Sequence, residues 1–131
     1  MDSVNQKILE LLKGNARLSW QSIGQSLGLT GQAISARVQQ MEYQGVISGY
    51  TVKRDALERC FITVFMNDRR FEEVEKFFQS HDDIEAAYKV AGEGCYQVVL
   101  ASDRPKALEN FLQRLDQFGR CRVLNVLRKV K

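Results

Sequence analysis

Histidine occurs once in these 131 residues, as His81, and proline once, as Pro105. The three cysteines, Cys60, Cys95 and Cys121, stand far apart with no CxxC pair. A structural zinc site draws four Cys or His ligands at short spacings, so no metal is expected. An odd set of scattered cysteines gives no disulfide framework either, and small, buried or half-buried thiols in a reducing compartment are expected. Nucleophile–base chemistry needs a placed base. The one histidine sits beside Asp82 and Asp83 at a helix end, where its charge would complement the helix dipole, and no catalytic constellation emerges. No apolar run approaches the roughly 18 residues that span a bilayer. The opening Met-Asp-Ser-Val-Asn-Gln lacks a basic-then-apolar signal pattern. A cytoplasmic location, with no membrane partner and no cofactor, is the expectation.

What is present is ordinary in bulk: 44% hydrophobic and 27% charged residues, the proportions of a folded globular chain. The net charge of +3 is spread over both halves. So weak an excess gives a monomer only a modest non-specific pull on DNA, which dimerisation would double.

Pattern carries more than composition. Val4, Ile8, Leu11 and Leu12 recur on one face and predict a helix over about Ser3–Lys13, with Ser3-Val4-Asn5-Gln6 as a capping box. Ser19 reads as the N-cap of a second helix, Trp20–Leu27, with Leu18 and Ile23 as a hydrophobic staple and Trp20, Ile23 and Leu27 as its inward stripe. After Gly28-Leu29 the device repeats: Thr30 caps a third helix whose core stripe is Ile34, Val38 and Met41, stopped by Gly45. Two short amphipathic helices across so tight a turn are a helix-turn-helix, whose second helix enters the DNA major groove. Val46–Val52 reads as a β-hairpin or wing.

The second half alternates: a strand over Cys60–Met66, a helix over about Phe71–Ser80, a strand over Glu85–Ala91, the turn Gly92-Glu93-Gly94, a strand over Cys95–Ala101, a helix over about Arg104–Phe118 and a strand over Arg120–Val130. The first of these helices buries Val74, Phe77 and Phe78. The second, capped by Asp103, buries Leu108, Phe111, Leu112 and Leu115. The economical solution is a ferredoxin-like βαββαβ fold, a four-stranded antiparallel sheet with both helices on one face. Phe61, Thr63 and Phe65 alternate with Ile62, Val64 and Met66, so the first strand is apolar on both sides. A small sheet with a second apolar face argues for self-association. The class is therefore α+β: a winged helix-turn-helix DNA-binding domain over residues 1–53, then a ferredoxin-like sensor and dimerisation domain over 54–131.

On the third helix the outward positions carry small and amide side chains. Gln bonds both edges of adenine, and a small side chain meets a thymine methyl. Gln32, Ser35, Ala36 and Gln39 are assigned to base edges, and Arg37 to a phosphate or a guanine. With no other cation between Thr30 and Gln44, shape and bending would contribute to readout. Arg17, Ser19, Thr30, Lys53 and Arg54 are candidate phosphate anchors, Thr30 also because free amides at a helix start attract phosphate. For Arg17 a plain surface charge explains the residue equally well. Arg69-Arg70 and Arg128-Lys129-Lys131 read as solvated faces, and Glu72, Glu73 and Glu75 as acids at a helix start.

The combination Asn5…Ile8-Leu9…Leu12, Asn15-Ala16-Arg17-Leu18-Ser19, Ile23-Gly24…Leu27-Gly28-Leu29-Thr30 and Arg37-Val38…Met41-Glu42…Gly45-Val46-Ile47…Gly49-Tyr50 resembles the leucine-responsive/asparagine-responsive (Lrp/AsnC) regulator family. The βαββαβ half is similar to that family's ligand-sensing domain, so the resemblance covers nearly the whole chain. It implies dimers formed through the C-terminal sheets, further assembly of dimers, and an amino-acid effector held between sensor domains. It also raises Gly92, Glu93, Gly94, Cys95 and Tyr96, otherwise a plain hairpin turn, to candidate effector-binding residues. The family's turn commonly reads Gly, two residues, Asp and an aromatic; here Cys95 stands where the acid often is. The connector after Tyr50 is shorter than is usual there.

The expectation is a sequence-specific DNA-binding transcriptional regulator acting as a homodimer on double-stranded DNA and modulated by a small effector. The alternative is a DNA-architectural or ligand-sensing assembly protein without a specific operator. An enzyme on the ferredoxin-like half is disfavoured by the shortage of catalytic residues.

Overall fold

The structure, a computed structural model, describes residues 2–131. The chain divides into two compact units, one ending at Lys53, the other running from Arg54 to Lys131.

The first unit holds three helices: α1 (Ser3–Gly14), α2 (Trp20–Leu27) and α3 (Gly31–Tyr43). Their apolar stripes meet in a core of Ile8, Leu12, Ile23, Ile34, Val38 and Met41, each at most 7% exposed. Val4, Leu11, Leu18, Leu27 and Leu29 pack around it half-buried. The cap of α1 is Asp2 rather than Ser3: its carboxylate accepts from the Asn5 amide at 2.7 Å. An acid at this place also faces the positive end of the helix dipole, which a hydroxyl does not exploit. Ser19 and Thr30 cap α2 and α3 as the sequence predicts, accepting from Ser22 N–H (3.0 Å) and Ala33 N–H (3.1 Å).

Trp20 departs from the expected stripe. It is 37% exposed and stands outside the core. Nearby, at Gly31, a β-carbon would stand 3.2 Å from Gln21 N and 3.5 Å from Trp20 C, so the two helices meet there backbone to backbone. A second departure is the wing. Residues 46–52 form no strand, and Val46, Tyr50 and Val52 are exposed. An extended segment becomes a strand only beside a partner, and none of the described residues supplies one.

The second unit comprises β1 (Glu58–Met66), α4 (Phe71–Ser80), β2 (Ile84–Lys89), β3 (Tyr96–Ser102), α5 (Ala107–Leu115) and β4 (Gly119–Asn125). The sheet runs β2-β3-β1-β4 with every pair antiparallel, the ferredoxin-like order. Cys60, Ile62 and Val64 of β1 join Val98 and Leu100 of β3 against Val74, Phe77, Phe78, Phe111 and Leu115 of the helices. Phe77 stacks on Phe111 and Phe118 with centroids 5.6 and 6.0 Å away. Leu108 and Leu112 are half-buried rather than buried, and Ala107 takes the inner place.

Asp103 does not cap α5. The helix starts at Ala107, after a turn in which Ala107 N–H donates to the Arg104 carbonyl (3.3 Å) around Pro105. Proline suits such a turn because its φ is preset. Ser102 Oγ, one residue upstream of Asp103, accepts from Arg104 N–H at 3.0 Å. β4 ends at Asn125, opposite Cys60, and residues 126–131 lie beyond it outside any strand. His81 also differs from expectation. It closes α4 half-buried, edge-on to Phe77 and Phe111 at 5.6 Å each. Burial, aided by Arg114 and Arg104 and opposed by Asp83 and Asp82, holds its pKa below the usual 6.5. It is a neutral aromatic plug, not a charged dipole partner.

Candidate nucleic-acid interface and effector region

The helix-turn-helix geometry depends on two glycines. Gly28 takes the left-handed conformation (φ +70°) that closes α2. At Gly24 a β-carbon would stand 2.3 Å from the Leu29 carbonyl oxygen, and Leu29 N–H donates to the Gly24 carbonyl at 2.9 Å. Only a hydrogen fits where the turn folds back on α2.

With Ile34, Val38 and Met41 buried, helical spacing turns Gln32, Ala36, Gln39 and Tyr43 to the opposite face. All four are exposed, Tyr43 by 88%. Ser35 borders that face half-buried, and Gln39 Nε2 reaches its hydroxyl at 3.5 Å. Arg37 does not join them. Its guanidinium donates to Asp2 Oδ2 at 2.8 Å and Asn5 Oδ1 at 3.2 Å, tying α3 to the start of α1. A position one residue past Ala36 has turned by 100° towards α1. The Asn5 amide and then Arg37 lower the Asp2 pKa, so the tie holds at neutral pH.

Ser19 and Thr30 use their hydroxyl oxygens as caps, which leaves each O–H free to donate to a phosphate. Arg17 is exposed, its backbone N–H anchored on Asn15 Oδ1 at 3.0 Å. Lys53 and Arg54 are exposed in the irregular segment after α3. One signal went unused by residue-by-residue reasoning: no Asp or Glu stands between Glu10 and Glu42, a stretch holding Lys13, Arg17 and Arg37. The helix-turn-helix thus carries no group that repels phosphate before Glu42, in the last turn of α3.

The five expected effector residues do not converge. Gly92 and Gly94 both have positive φ, +112° and +82°, and form the β2–β3 turn. Glu93 pairs with Arg122 of β4. A β-carbon on Gly94 would stand 2.5 Å from Thr63 Cγ2, and Cys95 N–H donates to the Val64 carbonyl at 2.7 Å. Tyr96 turns to the other side of the sheet. It is 2% exposed, and its hydroxyl donates to Glu75 Oε2 at 2.5 Å. Burial first, then that carboxylate, pushes its pKa well up. Tyr96 instead lines a cavity of about 320 Å³ between α4 and β2, with Glu75, Phe78, His81 and Lys89.

The outer face of the sheet carries Phe61 of β1 in register with Val99 of β3 and Leu124 of β4. Phe61 is 41% exposed and Leu124 69%. Arg120 and Arg122 lie over the ring of Phe65 at 5.3 and 5.5 Å. Among the described residues no acid, histidine and cysteine cluster is placed to hold a metal, and no helix is long and apolar enough to cross a membrane.

Residues 1–42 match the AsnC-type helix-turn-helix domain. Residues 59–131 match the Lrp/AsnC ligand binding domain. The chain is 31% identical to the HTH-type transcriptional regulator LrpB of Bacillus subtilis, over 100% of this chain and 91% of that one. It is 26% identical to LrpC of the same organism, over 91% and 86%. Among solved structures, B. subtilis LrpC superposes with a TM-score of 0.89 at 23% identity, covering 100% of this chain and 97% of that one. The feast or famine regulatory protein of M. tuberculosis complexed with L-methionine superposes at 0.86 and 23%, covering 99% and 94%.

Proposed function

On the premise that this chain belongs to the Lrp/AsnC family of helix-turn-helix transcriptional regulators, we propose that it works as a symmetric dimer, α3 of each protomer in successive major grooves. Such half-sites lie about 10 bp apart or a multiple of that. It is a DNA-binding transcriptional regulator; the dimer and the residues that read the operator are the proposal. Gln32, Ala36, Gln39 and Ser35 meet base edges, and Arg17, Ser19, Thr30, Lys53 and Arg54 anchor phosphates. Arg37 is left out, because Asp2 and Asn5 already hold it. The observation carrying this reading is the exposed, uncharged amide face of α3, opposite a fully buried stripe.

The exposed Phe61 and Leu124 supply the dimer surface. A relative's complex with L-methionine supports an amino-acid effector bound between C-terminal domains. With cysteine at position 95, the Glu93–Arg122 pair offers the two charges that a zwitterion needs, a carboxylate for its ammonium and a guanidinium for its carboxylate. A cytoplasmic location suits this work on DNA.

Fluorescence anisotropy of the full chain with its own upstream DNA and a scrambled duplex, at physiological salt, tests the reading. Tight binding to the first alone is expected, and Gln39→Ala should erode that preference. Equal weak binding to both favours an architectural role. If Gln39→Ala lowers both affinities and leaves their ratio unchanged, the base-contact assignment is wrong.

A further inference from the structure

We propose that Trp20, the only tryptophan of the chain, is a DNA contact: its indole lies on the sugar-phosphate backbone bordering the groove that α3 enters, with Nε1–H donating to a phosphate oxygen. The inference rests on the DNA-binding reading above and adds a residue to which nothing so far gives a role.

Three observations converge. First, Trp20 shares the stripe of Ile23 and Leu27, yet it is 37% exposed where Ile23 is 1%. A large amphipathic ring at a surface commonly marks a contact with one apolar and one polar part. Second, the place is fixed by backbone. Gly31, the first residue of α3, abuts Gln21 N and Trp20 C at 3.2 and 3.5 Å from its β-carbon position. The next residue, Gln32, is exposed on the reading face. In helix-turn-helix complexes the second helix presents its N-terminal residues to base edges while the first crosses the backbone. An exposed side chain on a residue whose backbone abuts the first turn of α3 therefore stands at the groove's border. Third, the chemistry fits. The indole N–H is donor only, phosphate oxygens are the acceptors at that border, and no acid stands between Glu10 and Glu42 to repel them. The ring itself lies on deoxyribose carbons.

Having one tryptophan makes the test direct. The full chain is titrated with fluorescein-labelled upstream DNA, anisotropy following binding while Trp20 emission and its quenching by acrylamide follow the indole. Acrylamide is neutral, so the field of the DNA does not bias it. Emission should shift and quenching fall in step with anisotropy. Trp20→Ala should weaken operator and scrambled duplex alike, by about tenfold for one charge-assisted hydrogen bond. The slope of log affinity against log salt should not change, because a neutral indole releases no counterion. Trp20→Phe, which keeps a ring and loses the donor, should fall between.

Saturated anisotropy with unchanged emission and quenching would overturn the proposal and leave the DNA reading intact. So would an emission shift with protein concentration alone, which would place Trp20 between copies of the chain. No anisotropy change with either duplex at low salt would overturn both. Thermal melting of Trp20→Ala separates a lost contact from lost folding; if that variant is unstable, wild-type quenching alone decides.

Discussion

At position 24 a hydrogen is all that fits, because the Leu29 carbonyl fills the place of a side chain. Gly24→Ala should cost about 2–3 kcal/mol, as overpacking a rigid backbone contact does, and urea unfolding checks it. The same change should weaken DNA binding, since the displaced turn carries α3. His81 predicts a pH dependence. Burial holds its folded-state pKa below the free value of 6.5, so the unfolded chain takes up the proton first and stability rises with pH through that window. Stability should be full above about pH 7 and fall as pH drops through and below about 6.5. In His81→Gln that step in the urea midpoint should disappear, while carboxylate titration at lower pH remains. The two sites were not equally legible. Caps such as Ser19 and Thr30 can be read directly because capping involves atoms three residues apart. The state of His81 depends on Phe111, thirty residues away, and no local pattern carries that.

Elements follow the same division. α4 was readable to the residue, because Val74, Phe77 and Phe78 fix its inner face and Glu72 and Glu73 favour its start. For α5 the sequence pattern predicts a longer helix at both ends, since Asp103 looks like a cap and Phe118 continues the apolar spacing, while hydrogen bonding confines the helix to Ala107–Leu115. Phe118 is nevertheless buried, stacked on Phe77 from outside the helix. The aromatic stack joins both helices to the sheet. Phe111→Ala, at 0% exposure, should therefore cost about 3–5 kcal/mol, and Leu112→Ala, half-buried, clearly less; calorimetric melting compares them. The wing failed for a different reason. Val46, Ile47, Tyr50, Thr51 and Val52 are strand formers, but a ladder needs a second strand, and sequence pattern does not say whether one is within reach.

At the scale of the whole molecule, the outer face of the sheet leaves large apolar side chains exposed. Phe61, Val99 and Leu124 form an apolar row across three strands, on a unit already stabilised by a complete core on its other side. Phe61→Glu should shift sedimentation from dimer to monomer and weaken operator binding, with the melting transition of the fold largely kept. An unchanged sedimentation coefficient would remove this face from assembly. Truncation after Asp55 should leave a weak, monomeric DNA binder, and full affinity in that fragment would remove dimerisation from the mechanism.

Sequence by itself determined the helix-turn-helix, the order of strands and helices in the second unit and nearly all of both cores, because periodicity, caps and turn residues act over a few residues. Tertiary structure alone decided which polar and aromatic side chains are free to act. Arg37 is held by Asp2, and Tyr96 faces inward to Glu75. Each outcome is set by a partner on another element, at distances in space that spacing along the chain does not encode.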